Sequence, residues 1–267
     1  MTTFNLLLVA FIQGMTEFLP VSSSGHLILL PILTGLDDQG LVIDVAAHLG
    51  TLVAVILYFW ADVRLAFFGT FRLLRGKVDT KGAFLALCLV IATIPVIIAG
   101  LILKVTGLAD AMRGIAVIGW AMIIFGIILY LADRNEQTAK SAEQWTLKDA
   151  VIMGLWQAVA LIPGTSRSGI TITAARMLGY ARPDAARLSM LMSIPTIIAS
   201  GALLSLDVIG SATAADLRDI ALVAVMSCIA AFAALAIMMR LLRSVSYTPY
   251  VIYRIVLGLV LLFIAYT

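Results

Sequence analysis

Gln13-Gly-Met-Thr-Glu17-Phe-Leu-Pro20-Val-Ser22-Ser23-Ser24-Gly25-His26 interrupts a chain that is otherwise apolar enough to dissolve in lipid. A second segment, Gln157 followed by Pro163-Gly-Thr-Ser166-Arg167-Ser168-Gly169, repeats its logic 144 positions later. Polar groups at membrane depth are costly, about 2.5–3.5 kcal/mol for a central charge on insertion scales. Two such clusters point to function. The Pro, Gly and Ser inside them predict two helix–break–helix units.

The surrounding sequence sets the class. Of 267 residues, 62% are hydrophobic and 12% charged, with a mean hydropathy of +1.09, whereas a soluble domain carries about 25% charged residues. Apolar runs at 41–60, 83–103, 114–132, 188–206, 220–239 and 250–266 reach spanning length, because about 20 helical residues cross about 30 Å of hydrocarbon. The expectation is an all-α, polytopic membrane bundle forming one integral domain over 1–267. A net charge of +3 without a Lys/Arg block gives no surface for nucleic acid. The N-terminus lacks a positive n-region and a small-residue cleavage site, so no signal peptide is expected. Cys88 and Cys228 fall inside predicted spans and read as small apolar groups, not a disulfide or metal site.

Basic residues orient the spans. Loop 61–81 holds Arg64, Arg72, Arg75, Lys77 and Lys81; loop 133–149 holds Arg134, Lys140 and Lys148; loop 240–249 holds Arg240 and Arg243. Loops 104–113 and 207–219 are poorer, and the first 40 residues have no Lys or Arg. The three richer loops are expected in the cytoplasm and the N-terminus outside. Segments 1–40 and about 148–187 are then left over. They cannot cross without breaking the charge alternation, so each is read as a re-entrant hairpin, one entering from each face. Gln13 matches Gln157, Ser22 matches Ser166, Ser24 matches Ser168 and Gly25 matches Gly169 at one offset. The pattern predicts an inverted-topology repeat, about 1–103 against about 148–240, with 250–266 as a final span, whose broken helices meet near the midplane. Ile94-Pro95 and Ile194-Pro195 read as two proline kinks.

The chemistry follows from the residue types. Helices are expected to restart at about His26 and Ile170, with the preceding serines as N-caps and glycines admitting a ligand to the backbone. Two helix N-termini facing each other suit a multiply charged anion. Arg167 adds a planar fork for phosphate oxygens. Ser23 or Ser24 needs a base to become a nucleophile. His26 lies within local reach; Glu17 can orient that histidine, act as base, or bind a metal; Gln13 shares the face of Glu17. Together these suit phosphoryl transfer on a substrate in the membrane. His48 is expected to pair locally with Asp44 at a helix end. Trp60, Trp145, Tyr247, Tyr250 and Tyr266 read as interface anchors, Trp120 and Trp156 as packing.

Two motifs resemble the BacA/UppP family of bacterial undecaprenyl-diphosphate phosphatases: (Glu/Gln)-x-x-x-Glu followed by Phe-Leu-Pro-Val-Ser-Ser-(Thr/Ser)-Gly-His, here Gln13 to His26, and Pro-Gly-x-Ser-Arg-Ser-Gly, here Pro163 to Gly169. The resemblance implies an enzyme of the bacterial inner membrane, opening outward. It would remove the terminal phosphate of undecaprenyl diphosphate, regenerate the lipid carrier for cell-wall synthesis and confer bacitracin tolerance. It implies Ser23 as nucleophile, Glu17 and His26 as acidic and basic catalytic positions, and Arg167 as the phosphate-binding arginine. Gln13, Ser22, Ser24, Gly25, Ser166, Ser168 and Gly169 would line the pocket. It also implies stimulation by a divalent cation, Mg or Ca. Many members carry Glu where this chain has Gln13, and an amide is a poorer cation ligand than a carboxylate. The expected partners are the polyprenyl diphosphate and membrane lipid; a homodimer stays open. The rival reading is a lipid-flipping transporter, which needs the anion site but no nucleophile.

Overall fold

The computed structural model describes residues 2–35, 40–134, 140–208 and 214–267, and those residues contain no strand. In chain order the helices are α1 (Thr3–Glu17), α2 (Ser23–Thr34), α3 (Gly40–Tyr58), α4 (Trp60–Leu73), α5 (Lys81–Thr106), α6 (Leu108–Ala111), α7 (Ile115–Asp133), α8 (Leu147–Val159), α9 (Arg167–Met177), α10 (Arg182–Val208), α11 (Ala214–Leu241) and α12 (Thr248–Tyr266), with a 3₁₀ turn at Ala142–Gln144. Six of them, α3, α5, α7, α10, α11 and α12, are long and apolar enough to cross a membrane. Each covers one of the six expected runs.

The two remaining helix pairs flank the breaks. At about 1.5 Å per residue, the 15 residues of α1 and the 13 of α8 fall well short of about 30 Å of hydrocarbon. The restarts come earlier than the sequence suggested. α2 begins at Ser23 and α9 at Arg167, so Ser23, Ser24, Arg167 and Ser168 occupy the first helical turn, while Ser22 and Ser166 hold the N-cap positions. The second unit also ends sooner: α9 stops at Met177 and α10 starts at Arg182, extending a span expected to begin at 188.

α1 packs against α11 and α3, α8 against α5 and α9, and α12 against α7. Close approach in the bilayer favours small residues, since lipid gives helices no hydrophobic reason to associate. A Cβ on Gly14 of α1 would lie 2.6 Å from Ala230 Cβ of α11. One on Gly50 of α3 would lie 2.1 Å from Ala224 O of α11, and one on Gly154 of α8 2.6 Å from Ala92 O of α5.

Several local readings need correction. Residues 61–81, taken as a loop, hold α4. Its charged residues mask its periodicity, while Gly69 lies against Gly82 to seat it on α5. Trp145 and Tyr247 are buried rather than interfacial, and Trp120 is exposed, its indole N–H donating to Tyr266 Oη at 3.3 Å. His48 Nδ1 meets the backbone oxygen of Asp44 at 2.8 Å, not a side-chain pair at a helix end. A buried polar knot accounts for the unexpected ends. Asp133 accepts from Arg176 Nε at 3.0 Å, Arg182 Nε at 2.8 Å and the amide of Tyr247 at 2.9 Å, joining α7, α9, α10 and the start of α12. On the exposed α4–α5 turn, Arg72 hydrogen-bonds Asp79, and that bond holds the Asp79 carboxyl below its ordinary range.

Candidate active site

Both breaks are built on the same local device. Ser22 and Ser166, one at each break, are the positive-φ residues other than glycine among the described residues, at φ 71° and 69°. That region is strained for an L-residue. It turns the chain sharply enough for a new helix to start at once. The neighbouring hydroxyls pair alike: Ser22 Oγ lies 3.1 Å from Ser24 Oγ, and Ser166 Oγ 3.2 Å from Ser168 Oγ. Capping differs. Ser166 Oγ accepts from the amide of Gly169 at 3.1 Å, whereas Ser22 makes no such bond.

The breaks are clasped together. Ser168 Oγ donates to Leu19 O at 2.9 Å, and the amide of Gly164 reaches Ser24 Oγ at 3.5 Å. The larger clamp is Arg254 of α12, which sequence reading passed over. It is fully buried. Its guanidinium donates to Pro20 O at 3.4 Å in the first break, and to Gly164 O at 3.1 Å and Thr165 O at 2.8 Å in the second. It also reaches Met122 O of α7 at 3.2 Å. Non-helical backbone leaves carbonyls without partners, which lipid cannot satisfy. A five-donor fork is suited to collecting them. Its only sequence signal was a lone arginine inside an apolar span.

The catalytic candidates converge on Glu17, the last residue of α1, which is 9% exposed. One carboxylate oxygen accepts from Arg167 Nη2 at 2.8 Å. The other accepts from Ser23 Oγ at 2.9 Å and from Gln13 Nε2 at 2.9 Å. Ser23 and Arg167 stand 144 positions apart and each lies in the first turn after a break, so the two units present unlike groups from like positions. Arg167 Nη1 is buried without a hydrogen-bond partner, as are Gln13 Oε1 and Gln157 Oε1.

A cavity of about 280 Å³ opens beside this cluster. Glu17, Ser22, Ser23, Ser24, Ser166 and Arg167 supply its polar wall. Val96, Leu161 and Ile197 supply an apolar one, and Val96 and Thr196 directly follow the helix-interior prolines Pro95 and Pro195. His48 lines the same cavity, its Nε2 3.9 Å from Glu17. His26 is placed differently: Nδ1 meets Ser22 O at 2.7 Å and Nε2 meets Tyr253 Oη at 2.5 Å. Gly25 and Gly169 back the site; a Cβ on Gly169 would lie 2.7 Å from Arg254 Nη1.

The residues present do not fit a divalent cation held by the protein alone. Mg and Ca take six or more oxygen ligands. No group of three or more His, Cys, Asp or Glu among the described residues could hold one, and Glu17 already accepts three hydrogen bonds.

Fold and site define a class: a polytopic helical membrane protein with a carboxylate–serine–arginine cluster buried between two broken helix pairs. The chain belongs to the family described as bacitracin resistance protein BacA, which matches residues 6–260. It is 67% identical over 267 residues, covering all of both chains, to the undecaprenyl-diphosphatase of Roseobacter denitrificans. It is 64% identical, again over the full length of both, to the undecaprenyl-diphosphatase of Ruegeria pomeroyi. To that of Saccharophagus degradans it is 42% identical over 97% of this chain and 96% of the other.

Proposed function

We propose that this protein hydrolyses undecaprenyl diphosphate to undecaprenyl phosphate and inorganic phosphate, recycling the carrier for cell-wall polymers and thereby conferring bacitracin resistance. The observation that carries this reading is the shared carboxylate: Ser23, a nucleophile type, and Arg167, a phosphate-binding type, are held by the same Glu17 at 2.9 and 2.8 Å beside a cavity.

In the reaction, Ser23 Oγ attacks the terminal phosphorus while its proton passes to Glu17. The Oγ–P bond forms, the anhydride P–O bond breaks, and the lipid monophosphate leaves. Water then cleaves the phosphoserine. Arg167 turns its unpartnered Nη1 to the phosphate, and the N-termini of α2 and α9 neutralise developing charge. Gln13 holds Glu17 in place, Ser22, Ser24, Ser166 and Ser168 supply hydroxyls, and the isoprenoid tail lies along the apolar wall into lipid. No step is routed through a protein-held cation.

We further propose that both broken pairs are re-entrant, entering from opposite faces of the bacterial inner membrane as an inverted repeat, with the cavity open to the outer side. Two facts support this. No helix of either pair is long enough to cross by itself, and α1 packs on α11 while α8 packs on α5. The same pairing leaves lipid flipping as a second activity of the site.

The test is phosphate release from undecaprenyl diphosphate by purified protein in detergent micelles, where no second compartment exists. Release that disappears in Ser23→Ala supports hydrolysis by this site. Wild-type protein that binds the lipid but liberates no phosphate would leave transport as the reading.

A further inference from the structure

The chain's two histidines are held in the same way and face different surroundings. Each sets its Nδ1 against the carbonyl four residues earlier: His26 at 2.7 Å from Ser22 O and His48 at 2.8 Å from Asp44 O. A carbonyl only accepts, so Nδ1 carries the hydrogen in each neutral ring and Nε2 carries the lone pair. At His26 that lone pair is taken by the Tyr253 hydroxyl, 2.5 Å away, and the two rings stack at an interplanar angle of 3°. At His48 it has no hydrogen-bond partner among the described residues, lies 3.9 Å from Glu17 and faces the cavity that Ser23 and Arg167 line.

The proton leaving Ser23 passes first to the Glu17 oxygen it already touches. That oxygen also holds Gln13 Nε2, and an amide cannot take a proton. Glu17 is far more enclosed than His48, with 7% of its side chain exposed against 37%. A base between a buried carboxylate and the open end of the cavity is placed to carry the proton out.

We propose that His48 is the proton acceptor that clears Glu17 during the reaction, resting on the reading of Ser23 as nucleophile. The Ser23 O–H bond breaks as Oγ–P forms, the proton moves to Glu17 and then to His48 Nε2, and the anhydride oxygen leaves as a phosphate monoester that needs no proton. In the second half water adds to phosphorus as the Oγ–P bond breaks, and His48 returns its proton through Glu17 to Ser23 Oγ. It then takes the proton that water gives up through Glu17 and releases it to solvent.

The experiment measures phosphate release from undecaprenyl diphosphate by purified full-length variants in detergent micelles. His48→Gln, which keeps a polar side chain of similar reach, is expected to lower kcat about 100-fold with KM changed by less than about threefold, the size of a general-base contribution. His48→Ala is expected to regain roughly tenfold when imidazole is supplied, a recovery that a packing role does not produce. Gln13→Glu added to His48→Gln is expected to restore part of the activity, because a second carboxylate beside Glu17 offers another acceptor for the proton that Ser23 gives up. The proposal is overturned if His48→Gln keeps a wild-type kcat while Ser23→Ala is inactive, or if neither imidazole nor Gln13→Glu restores any rate. A Ser23→Ala protein that still releases phosphate would instead remove the nucleophile reading on which the proposal stands.

Discussion

Ser23 and Arg167 grip opposite oxygens of one carboxylate, Glu17, at 2.9 and 2.8 Å. They come from different helix pairs, α2 and α9, so the site exists only when the two breaks are docked. Glu17 therefore has two tasks that can be separated. It orients the serine, and it holds Arg167 in the site through one of its two terminal nitrogens while the other waits.

The serines give the first prediction. Three hydroxyls crowd the first break, but only Ser23 bonds the carboxylate; Ser22 and Ser24 bond each other. Ser23→Ala should lower kcat for phosphate release at least about 1,000-fold, as loss of an activated nucleophile does. Ser24→Ala should cost far less, because Ser24 gives up only its contacts to Ser22 and the Gly164 amide. Equal losses in the two variants would show that Ser23 holds no special place.

Arg167→Lys separates charge from geometry. Lysine keeps the cation near Glu17 but offers one point charge where arginine offers a fork. With Nη2 committed to Glu17 and Nη1 unpartnered, the fork is what lets one side chain serve both the carboxylate and the phosphate. The expected loss in kcat/KM is about 100-fold, comparable to removing one donor aimed at developing charge. A lysine variant within a factor of three of wild type in steady-state release would refute the fork.

These residues were legible in the sequence because chemistry forced them into view. A Glu, an Arg and five serines inside apolar sequence have no cheap structural explanation, and six spans of about 20 apolar residues are a matter of composition. What stayed hidden depended on distance in the chain. Arg254 works through carbonyls 234, 90 and 89 positions away. His48 belongs to the site only because α3 packs against α1. α4 escaped notice because Arg64 and Arg72 interrupt its apolar residues and Phe67, Phe68 and Phe71 stay exposed. His26, three positions after Ser23, turned back on Ser22 and outward to Tyr253, since a helix starting at Ser23 gives its ring the carbonyl one turn earlier.

Backbone strain at the breaks widens the gap between glycine and alanine. In a helix interior alanine is preferred to glycine by about 1 kcal/mol, but at an N-cap such as Ser22 glycine is already the better of the two. At Ser22, φ of 71° imposes a cost on any side chain bearing a Cβ, and the hydroxyl makes no capping bond that glycine would lose. Ser22→Gly should therefore be more stable than Ser22→Ala by about 1 kcal/mol. Thermal unfolding of the two variants in the same detergent checks this; an alanine variant of higher midpoint would contradict the strained turn.

Arg254 supplies the strongest structural test. Its guanidinium is the hub between Pro20, Gly164 and Thr165, and it is fully buried with carbonyls in place of a carboxylate partner. Arg254→Met preserves length and apolar bulk but strands those oxygens at membrane depth, where each unsatisfied carbonyl costs about 1–3 kcal/mol. The expected outcome is a loss of stability on the order of 3 kcal/mol or more and loss of phosphate release. Faster amide exchange should concentrate at 18–22 and 161–166. Arg254→Lys should fall between, since an ammonium reaches fewer of the oxygens at once. Gly169→Ala provides an independent check, because its Cβ would press within 2.7 Å of Arg254 Nη1 and push the hub off its carbonyls without touching its charge. If Arg254→Met leaves exchange at both breaks unchanged while activity falls, the arginine acts on the substrate and not by holding the breaks together.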